Sequence, residues 1–282
     1  MNTIFLKAYA KINLRLDITG VREDGYHSVD MVNQSVGLHD LVSVSQSEEP
    51  GIQVTFSEPW IPKETNSAIM ACQAFQEFAA DLPAPGVKVN IRKSIPSRAG
   101  YGGGSADAAA VLVGLSALRV GTGQSAPAGA DLMKAAAAVG SDVPFCMLGG
   151  LRRCTGKGEI VGENLGELSP APVILLAKPK VGMSTPAAYA EIDKHYDSLR
   201  RPEGEYGNVF EELPIVPWIV HSLKEIMLRH GASVAQMSGS GTGCFAFFDS
   251  AEAAERCRKG LRVPFTEVTS CVKCGVEVSA AI

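Results

Sequence analysis

Hydrophobic and polar residues recur along the chain with two periods, the two-residue period of strands and the longer period of helices. The strand pattern covers five segments: residues 5–18, 29–44, 87–91, 173–177 and 265–278. The helical pattern covers five more: residues 67–78, 108–118, 130–139, 214–230 and 251–260. We expect a turn at Asp40 inside the second strand segment and a left-handed stop at Gly140 after the third helix. At 282 residues the chain is long enough for two modest domains, each with its own core.

The most distinctive stretch is the glycine-rich run at residues 96–110, PSRAGYGGGSADAAA, which lies between a predicted strand and a predicted helix. The helix is expected to begin near Ser105, with Ser105 and Asp107 in capping and first-turn roles. Its first N–H groups lack internal acceptors and its dipole is positive there, so the run predicts a phosphate-binding loop, although a glycine turn capped by serine is the plainer alternative. Four residues without a Cβ atom let the backbone approach a ligand closely: Gly100, Gly102, Gly103 and Gly104.

This run differs from the two commonest phosphate-binding motifs. A P-loop requires Lys-Ser or Lys-Thr after its last glycine, whereas Gly104 is followed by Ser105 and Ala106. A dinucleotide-binding fingerprint can be aligned with residues 121–126, but the segment before them is a predicted helix and not the required strand. The chain therefore contains neither of these two motifs.

Composition narrows the possible functions. The formal net charge of -4 disfavours nucleic-acid binding, which usually needs a basic face, so we expect no nucleic-acid partner. We expect no apolar run long enough to cross a membrane, and residues 1–11 lack the apolar core of a signal peptide. Seven scattered cysteines, an odd number, indicate a reducing cytoplasm. Cys271 and Cys274 fall in an alternating strand pattern that puts them on opposite faces, so we interpret both as structural.

Two segments near the N-terminus carry side chains suited to a binding site. Lys11 and Asn13 share one face of the first predicted strand, although a lysine on a strand is usually solvated. Tyr26 offers a flat face for stacking and His27 offers ring nitrogens for a base edge, directly after a predicted turn. A Tyr-His pair at a turn is by default a surface feature.

Three residues later in the chain have ordinary structural explanations beside functional ones. Asn66 precedes a predicted helix, where an N-cap role suffices. Asp142 follows Gly-Ser between a helix end and an apolar run, a setting typical of a turn or cap. Tyr189 is nearly as well explained by packing in a core. A second glycine-rich loop at residues 237–243 contains more glycines than a surface turn needs.

In order and spacing, these segments resemble the small-molecule kinases named after galactose, homoserine, mevalonate and phosphomevalonate. The resemblance covers nearly the whole chain. It implies an α+β fold with an N-terminal ribosomal-protein-S5-domain-2-like nucleotide domain at residues 1–155 and a C-terminal ferredoxin-like α/β sandwich at residues 156–282, the active site lying in the cleft between them. Five motifs carry it: AKINL at 10–14, GYH at 25–27, the glycine-rich run at 96–110, GSDVPFC at 140–146 and MSGSG at 237–241.

The resemblance also implies a reaction. The most similar branch uses ATP and Mg²⁺ to phosphorylate the 2-hydroxyl of a cytidine diphosphate-linked methylerythritol, a step of the non-mevalonate route to isoprenoid precursors. Position by position, Asp142 is then the catalytic base with Lys11 beside it, and Asn13 touches the substrate. Tyr26, His27 and Tyr189 would hold the cytosine.

The nucleotide site follows from the same resemblance. It implies ten contacts to ATP: Asn66, Pro96, Gly100, Gly102, Gly103, Gly104, Ser105, Gly239, Ser240 and Gly241. No metal ligands are identified by the motifs. The implied protein is a cytoplasmic enzyme with a small-molecule substrate, either a monomer or a weak homodimer. Arg98 and Tyr101 are bulkier than the family's usual residues, so we expect altered ATP affinity, through a cation near the phosphates or a reshaped adenine side.

Two other functions stay open from the residues alone. A related kinase could act on a different alcohol, such as homoserine or a mevalonate derivative, although those substrates have no base for Tyr26, His27 and Tyr189 to hold. A non-catalytic nucleotide-binding regulator on the same fold is the second alternative. The presence of both Lys11 and Asp142 argues against the regulator.

Overall fold

The computed structural model describes residues 3–58 and 66–281. The strands follow in the order β1 Thr3–Val21, β2 His27–Ser47, β3 Gly51–Phe56, β4 Gly86–Arg92, β5 Leu151–Thr155, β6 Ile160–Asn164, β7 Val173–Lys178, β8 Gly207–Asn208, β9 Val234–Met237, β10 Cys244–Phe248, β11 Phe265–Thr269 and β12 Val276–Ala281. The helices are α1 Ser67–Phe78, α2 Gly103–Gly121, α3 Gly129–Val139, α4 Val143–Leu148, α5 Thr185–His195, α6 Trp218–Arg229 and α7 Ala251–Gly260.

The first sheet is organised by the long antiparallel pair β1 and β2, and its main path runs β12-β1-β2-β4-β3. Residues 8–14 of β1 are buried on both strand faces, which takes the polar residues Lys11 and Asn13 into the interior. Helix α2 crosses this sheet closely, because a Cβ atom on Gly114 would lie 2.6 Å from Val44 Cγ2. A glycine in the middle of the helix therefore allows the helix and the sheet to touch.

The second sheet is antiparallel, with the order β11-β7-β10-β9. Helices α5 and α6 lie between β7 and β9 in the chain, and α7 lies between β10 and β11. This order of strands and helices is that of the ferredoxin-like sandwich, so the expected C-terminal architecture is confirmed. All five residues of β10 are buried, as expected for the central strand of a covered sheet.

The two sheets do not divide the chain at one point. Strands β6, β8 and β12 lie in the second half of the chain, yet they join the first sheet. The predicted strand region at residues 265–278 is two strands, of which β11 belongs to the second sheet and β12 to the first. The domain boundary between residues 155 and 156 stays a prediction.

Several local predictions were wrong. Strand β2 continues through Asp40, which is buried inside it and is not at a turn. Gly140 has a φ of 175°, which is extended and not left-handed. Cys271 and Cys274 lie between β11 and β12 and not within a strand, so the argument from opposite faces does not apply; both are free thiols. The helix predicted over residues 214–230, with an entry through Pro217, begins only at Trp218, and the entry through Pro217 agrees with the observed N-cap.

Helix α2 also differs from the expectation that no segment could cross a membrane. By length and composition alone it could do so. More than half of this apolar stretch is buried inside the protein, however, as in the core helix of a globular domain.

Tyr101, in the glycine-rich loop, joins the two sheets. Its side chain is buried, and its hydroxyl lies 3.0 Å from the carbonyl oxygen of Ala177 and 2.6 Å from that of Cys244. These carbonyls belong to β7 and β10, the central strands of the second sheet. The Tyr101 ring thus packs between the sheets, and its effect on the adenine side stays a prediction.

A buried cluster of one base and two acids supports the base of the glycine-rich loop. Lys93 Nζ forms ion pairs with Asp40 Oδ2 and, at 2.5 Å, with Asp107 Oδ2. Asp40 Oδ1 also accepts the backbone N–H groups of Ser94 (2.5 Å) and Ile95 (2.8 Å). The cluster thus ties the strand before the loop, the loop itself and the helix after it to β2.

Electrostatics within this cluster are unbalanced, since two carboxyl groups share one lysine. Burial, together with the negative charge of Asp40, raises the pKa of Asp107 well above its ordinary value, against the opposing effect of Lys93. Burial lowers the pKa of Lys93, but Asp107 and Asp40 outweigh burial and raise it. Lys93 is therefore the shared counter-ion of two buried carboxyl groups.

We expect Lys93→Met to destabilise the fold by about 3–5 kcal/mol near pH 8, because it leaves buried carboxyl groups without their counter-ion. A buried acid with a raised pKa contributes stability that is present below its unfolded pKa of about 4 and is lost as pH rises. Without Lys93 the pKa of Asp107 would rise further, so the loss should be smaller at pH 5 than at pH 8. Urea unfolding at both pH values measures it.

Lys88→Met is the matched control, since Lys88 is exposed on β4, the strand that ends one residue before Lys93. We expect a change of no more than about 0.5 kcal/mol for it at either pH. A Lys93→Met loss that did not depend on pH would contradict this account of the cluster.

Candidate active site

One cavity of about 1380 Å³ brings together the residues predicted for catalysis, for the cytosine and for ATP, with Asn66 as the exception. Asn66 is buried and caps α1, its Oδ1 accepting the N–H of Ile69 at 2.9 Å. Its neighbour Ser67 does line the cavity. The N-cap explanation of Asn66 is confirmed, and its contact with adenine stays a prediction.

A lysine and an aspartate meet in this cavity. Lys11 Nζ lies 3.3 Å from Asp142 Oδ2 and donates to Asn13 Oδ1 at 2.8 Å. Lys11 is only 4% exposed, whereas 29% of the Asp142 side chain is accessible. The buried ammonium therefore has two oxygen partners, and the carboxylate remains within reach of a substrate.

Different elements position these two residues. Lys11 lies in the middle of β1, two positions before Asn13, so that both side chains leave the strand on the same side. Asp142 is the residue before α4, whose first turn contains Pro144, a residue that favours the start of a helix. The connection between α3 and α4 thus places the Asp142 carboxylate beside Lys11 on β1.

A buried network orients Asn13. Its Nδ2 donates to Asn33 Oδ1 at 2.6 Å, and its backbone N–H donates to Ser238 Oγ at 3.3 Å. Ser238 Oγ in turn donates to the carbonyl oxygen of Gly100 at 2.9 Å. Sequence reasoning missed Asn33 and assigned Ser238 no separate role. The available signal was a run of three polar residues, Asn33, Gln34 and Ser35, in the middle of a predicted strand.

The glycine-rich loop leads directly into α2. Gly102 is the N-cap in a left-handed conformation, φ 73°, and the helix begins at Gly103, two residues earlier than expected. Ser105 is therefore the third helical residue and makes no capping hydrogen bond, while Asp107 pairs with Lys93. Because Ala106 N–H is the first to bond within the helix, to Gly102 O, the amides of residues 103–105 have no intrahelical acceptor.

The glycine loops pack against each other and against β1. A Cβ atom on Gly102 would lie 2.9 Å from Lys11 Cγ, and one on Gly100 would collide with the carbonyl oxygen of Ser238. The backbone N–H of Lys11 also donates to Tyr101 O at 2.9 Å. These approaches require glycine at both positions, and they place the start of α2 beside the Lys11 side chain.

The second glycine loop closes another side of the cavity. Gly239 and Gly241 have φ values of 57° and 88° and, with Ser240, line it. Ser240 Oγ lies 2.8 Å from Thr185 Oγ1 at the start of α5. Arg98 also lines the cavity, exposed and with a left-handed φ of 53°.

Another part of the cavity wall, called the aromatic wall below, is formed by the rings of Tyr26, His27, Tyr189 and Phe210. The rings of His27 and Tyr189 lie 4.9 Å apart, and Tyr189 packs edge-on against Phe210 at 5.0 Å. Tyr26 is 57% exposed, and Lys157 Nζ lies 4.4 Å from its ring centroid. Burial, with a smaller contribution from the charge of Asp142, raises the pKa of Tyr189 to about 12, so its ring stays neutral. Tyr189 thus both packs against the core and faces the cavity.

His27 has a partner that sequence reasoning missed. Its Nε2 lies 2.7 Å from Asp193 Oδ1, on α5. Asp193 follows Tyr189 by four residues, the spacing that puts two side chains on one helix face. That spacing was the available signal.

The described residues, 3–58 and 66–281, contain no cluster of three or more histidine, cysteine or acidic side chains able to hold a metal. The oxygen donors of the cavity include the hydroxyl of Ser105 and the carboxylate of Asp142. Such a sparse set suits Mg²⁺, which keeps several waters and is commonly bound through substrate phosphates with one or two protein ligands.

Comparison with known proteins gives the same picture from an independent direction. The family model for the GHMP kinases N terminal domain matches residues 66–150, and that for GHMP kinases C terminal matches residues 189–264. A 4-diphosphocytidyl-2-C-methyl-D-erythritol kinase of Lachnoclostridium phytofermentans is 38% identical, with 91% of each chain covered. The enzyme of the same name from Acetivibrio thermocellus is also 38% identical, over 93% of this chain and 96% of its own.

Solved structures agree. A crystal structure of 4-(cytidine 5'-diphospho)-2C-methyl-D-erythritol kinase superposes with a TM-score of 0.76 at 28% identity, covering 96% of this chain and 99% of its own. Both glycine loops, the Lys11–Asp142 pair and the aromatic wall belong to a chain that these relatives match over nearly its whole length. The chain belongs to the 4-diphosphocytidyl-2-C-methyl-D-erythritol kinase family, within the GHMP kinases.

Proposed function

We propose that this protein transfers the γ-phosphoryl group of ATP to the 2-hydroxyl of 4-diphosphocytidyl-2-C-methyl-D-erythritol, in the non-mevalonate route to isoprenoid precursors. The observation that carries the proposal is the pairing of Lys11 with Asp142 in the cavity that holds the glycine-rich helix start. Kinase activity needs a binding site for phosphate and a base for the hydroxyl; the proposed phosphate site, the start of α2, and the proposed base, Asp142, line the same cavity.

Asp142 is proposed as the base. A hydroxyl nucleophile loses its proton as the new O–P bond forms, and a carboxylate within reach can accept that proton. Lys11, 3.3 Å from Asp142, places a fixed positive charge where negative charge develops on the transferred group. Asn13 keeps Lys11 in place through its side-chain oxygen, and is proposed to touch the substrate as well.

ATP is proposed to bind across the start of α2. The amides of Gly103, Gly104 and Ser105 face no intrahelical acceptor, and the helix dipole is positive at this end. Phosphoryl transfer depends mainly on positioning and on neutralising charge, which these amides and Lys11 supply. The remaining proposed contacts are Pro96, Gly100, Gly102, Gly239, Ser240 and Gly241, all on the cavity wall, and Asn66 behind it.

Mg²⁺ is proposed as the accompanying cation. It would be held chiefly by the phosphates, with the Ser105 hydroxyl and the Asp142 carboxylate as the protein oxygens that fit such a role. Bound there, it would neutralise the charge that builds up between the β- and γ-phosphates. The protein's own part is to hold the phosphates and the acceptor hydroxyl at one place.

The aromatic wall is proposed to bind the cytosine. Tyr26 and Tyr189 offer ring faces, and His27 offers a ring nitrogen to the base edge. With the cytosine bound there, the rest of the substrate can extend to Asp142 within the same cavity. We further propose a cytoplasmic protein that works as a monomer or weak homodimer.

Asp142→Asn should reduce kcat by about 10²- to 10⁴-fold, the range typical of losing a general base. KM for the diphosphocytidyl substrate should change by only a few fold, because an amide keeps the shape of the side chain. A coupled assay of ADP release with Mg²⁺ and ATP measures both constants.

Asp131→Asn is the control for this change. Asp131 also pairs with a lysine, Lys134, at 2.9 Å, but it lies on α3 outside the cavity, so its kinetics should match the wild type. Turnover by Asp142→Asn close to that of the wild type would rule out Asp142 as the catalytic base. ADP release with a different alcohol, or ATP binding without any turnover, would mean another substrate or a regulator.

Gly102→Ala should raise KM for ATP and lower kcat by about tenfold each. A side chain at φ 73° costs about 1–2 kcal/mol, and the new methyl group would displace Lys11. Gly123→Ala is the matched variant, because Gly123 also has a positive φ, 81°, but its Cβ would meet no atom within 4 Å. Titration of ATP for both variants separates the effects; equal kinetic losses would contradict the proposed role of the Gly102 contact.

A further inference from the structure

Asp193 is an exposed acid on the cavity wall that the reaction itself does not use. It lies on α5, and 54% of its side chain is accessible to solvent. Its Oδ1 is 2.7 Å from His27 Nε2, and both residues line the cavity. A surface carboxylate held on a buried histidine has lost freedom, so the contact needs an explanation.

The His27 ring is fixed from two directions. It is 8% exposed, and Tyr189 packs against it at a centroid distance of 4.9 Å with the planes tilted by 39°. Asp193 then holds one of its two nitrogens. The packing sets where the ring lies, and the hydrogen bond sets which nitrogen faces the carboxylate.

That hydrogen bond also selects the proton position in a neutral imidazole. An ionised carboxylate can only accept hydrogen bonds, so Nε2 of His27 must carry the hydrogen. Nδ1 is then left as the acceptor nitrogen of the ring. A partner on the far nitrogen commonly fixes the tautomer of a functional histidine in this way.

An acceptor at Nδ1 distinguishes the two pyrimidine bases. Cytosine presents a 4-amino donor where uracil presents a carbonyl acceptor. The amino group of cytosine can donate to Nδ1, whereas O4 of uracil would face a lone pair. A site built to bond a polar group discriminates strongly against an analogue that mismatches it.

We propose that Asp193 is a positioning residue that, by holding the tautomer of His27, makes the site select a cytidine over a uridine diphosphate substrate. The inference rests on the proposed function, since it assumes that the base of the substrate lies against His27. Asp193 acts through His27 and makes no contact with the base itself.

The test compares the cytidine substrate with its uridine counterpart, each phosphorylated by wild type and by Asp193→Asn. An amide can either donate or accept, so the side chain introduced by Asp193→Asn would tolerate both tautomers of His27. We expect the ratio of the two kcat/KM values to fall by about tenfold or more, with the uridine form gaining or unchanged. A purely structural role would lower both values by the same factor and leave the ratio intact.

Glu191→Gln is the matched control. Glu191 lies on the same helix, pairs with Lys194 at 2.6 Å and does not line the cavity, so its ratio should equal that of the wild type. Asp193→Glu keeps an acceptor and should retain more of the discrimination than Asp193→Asn. An unchanged ratio in Asp193→Asn, or an equal loss for both substrates, would overturn the inference.

Failure of the proposed function is recognised separately. If the wild type phosphorylates neither substrate, calorimetric binding of cytidine 5'-diphosphate and uridine 5'-diphosphate replaces turnover as the readout. A preference for the cytidine ligand that Asp193→Asn removes would support the inference while the reaction is reassigned. Equal binding of both ligands by the wild type, or none, would overturn it.

Discussion

Lys11 is a buried cation, and the site depends on how its charge is compensated. A charge inside a protein is tolerated only when oxygen partners replace the water it has lost. Asn13 supplies one such oxygen from the same strand, and Asp142 supplies the other from a distant part of the chain. Once that pair forms, the start of α4 is fixed against β1, and the accessible carboxylate has a defined position.

The same lysine explains why two glycine loops converge on this strand. Gly102 passes so close to the Lys11 side chain that a Cβ atom would displace it, and Gly100 lies against Ser238 of the second loop. Ser238 bonds to both Gly100 and Asn13, so the two loops and strand β1 share one buried network. The proposed phosphate seat and the proposed base are therefore parts of one packed unit.

Both sheets contribute to the cavity, and several contacts hold them together. Tyr101 reaches from the first glycine loop to two carbonyls of the second sheet, and β12 returns the chain to the first sheet. The aromatic wall has the same composite origin, since His27 begins β2 whereas Tyr189 and Asp193 lie on α5. Mutations far from Asp142 can thus alter the cavity by moving one sheet against the other.

The sequence by itself determined the strands and helices with strong periodicity, the helix at residues 67–78 with its Asn66 cap, and the motifs of the kinase family. These follow from local backbone preferences and from residue order, which one chain displays directly. It did not reveal the Lys93 cluster, the Asn33 bond, the inward turn of Tyr101 or the Asp193–His27 pair. Each joins residues from different elements, at separations that range from 14 positions for Lys93 and Asp107 to 166 for His27 and Asp193, so only the tertiary structure decided which polar groups would find a partner.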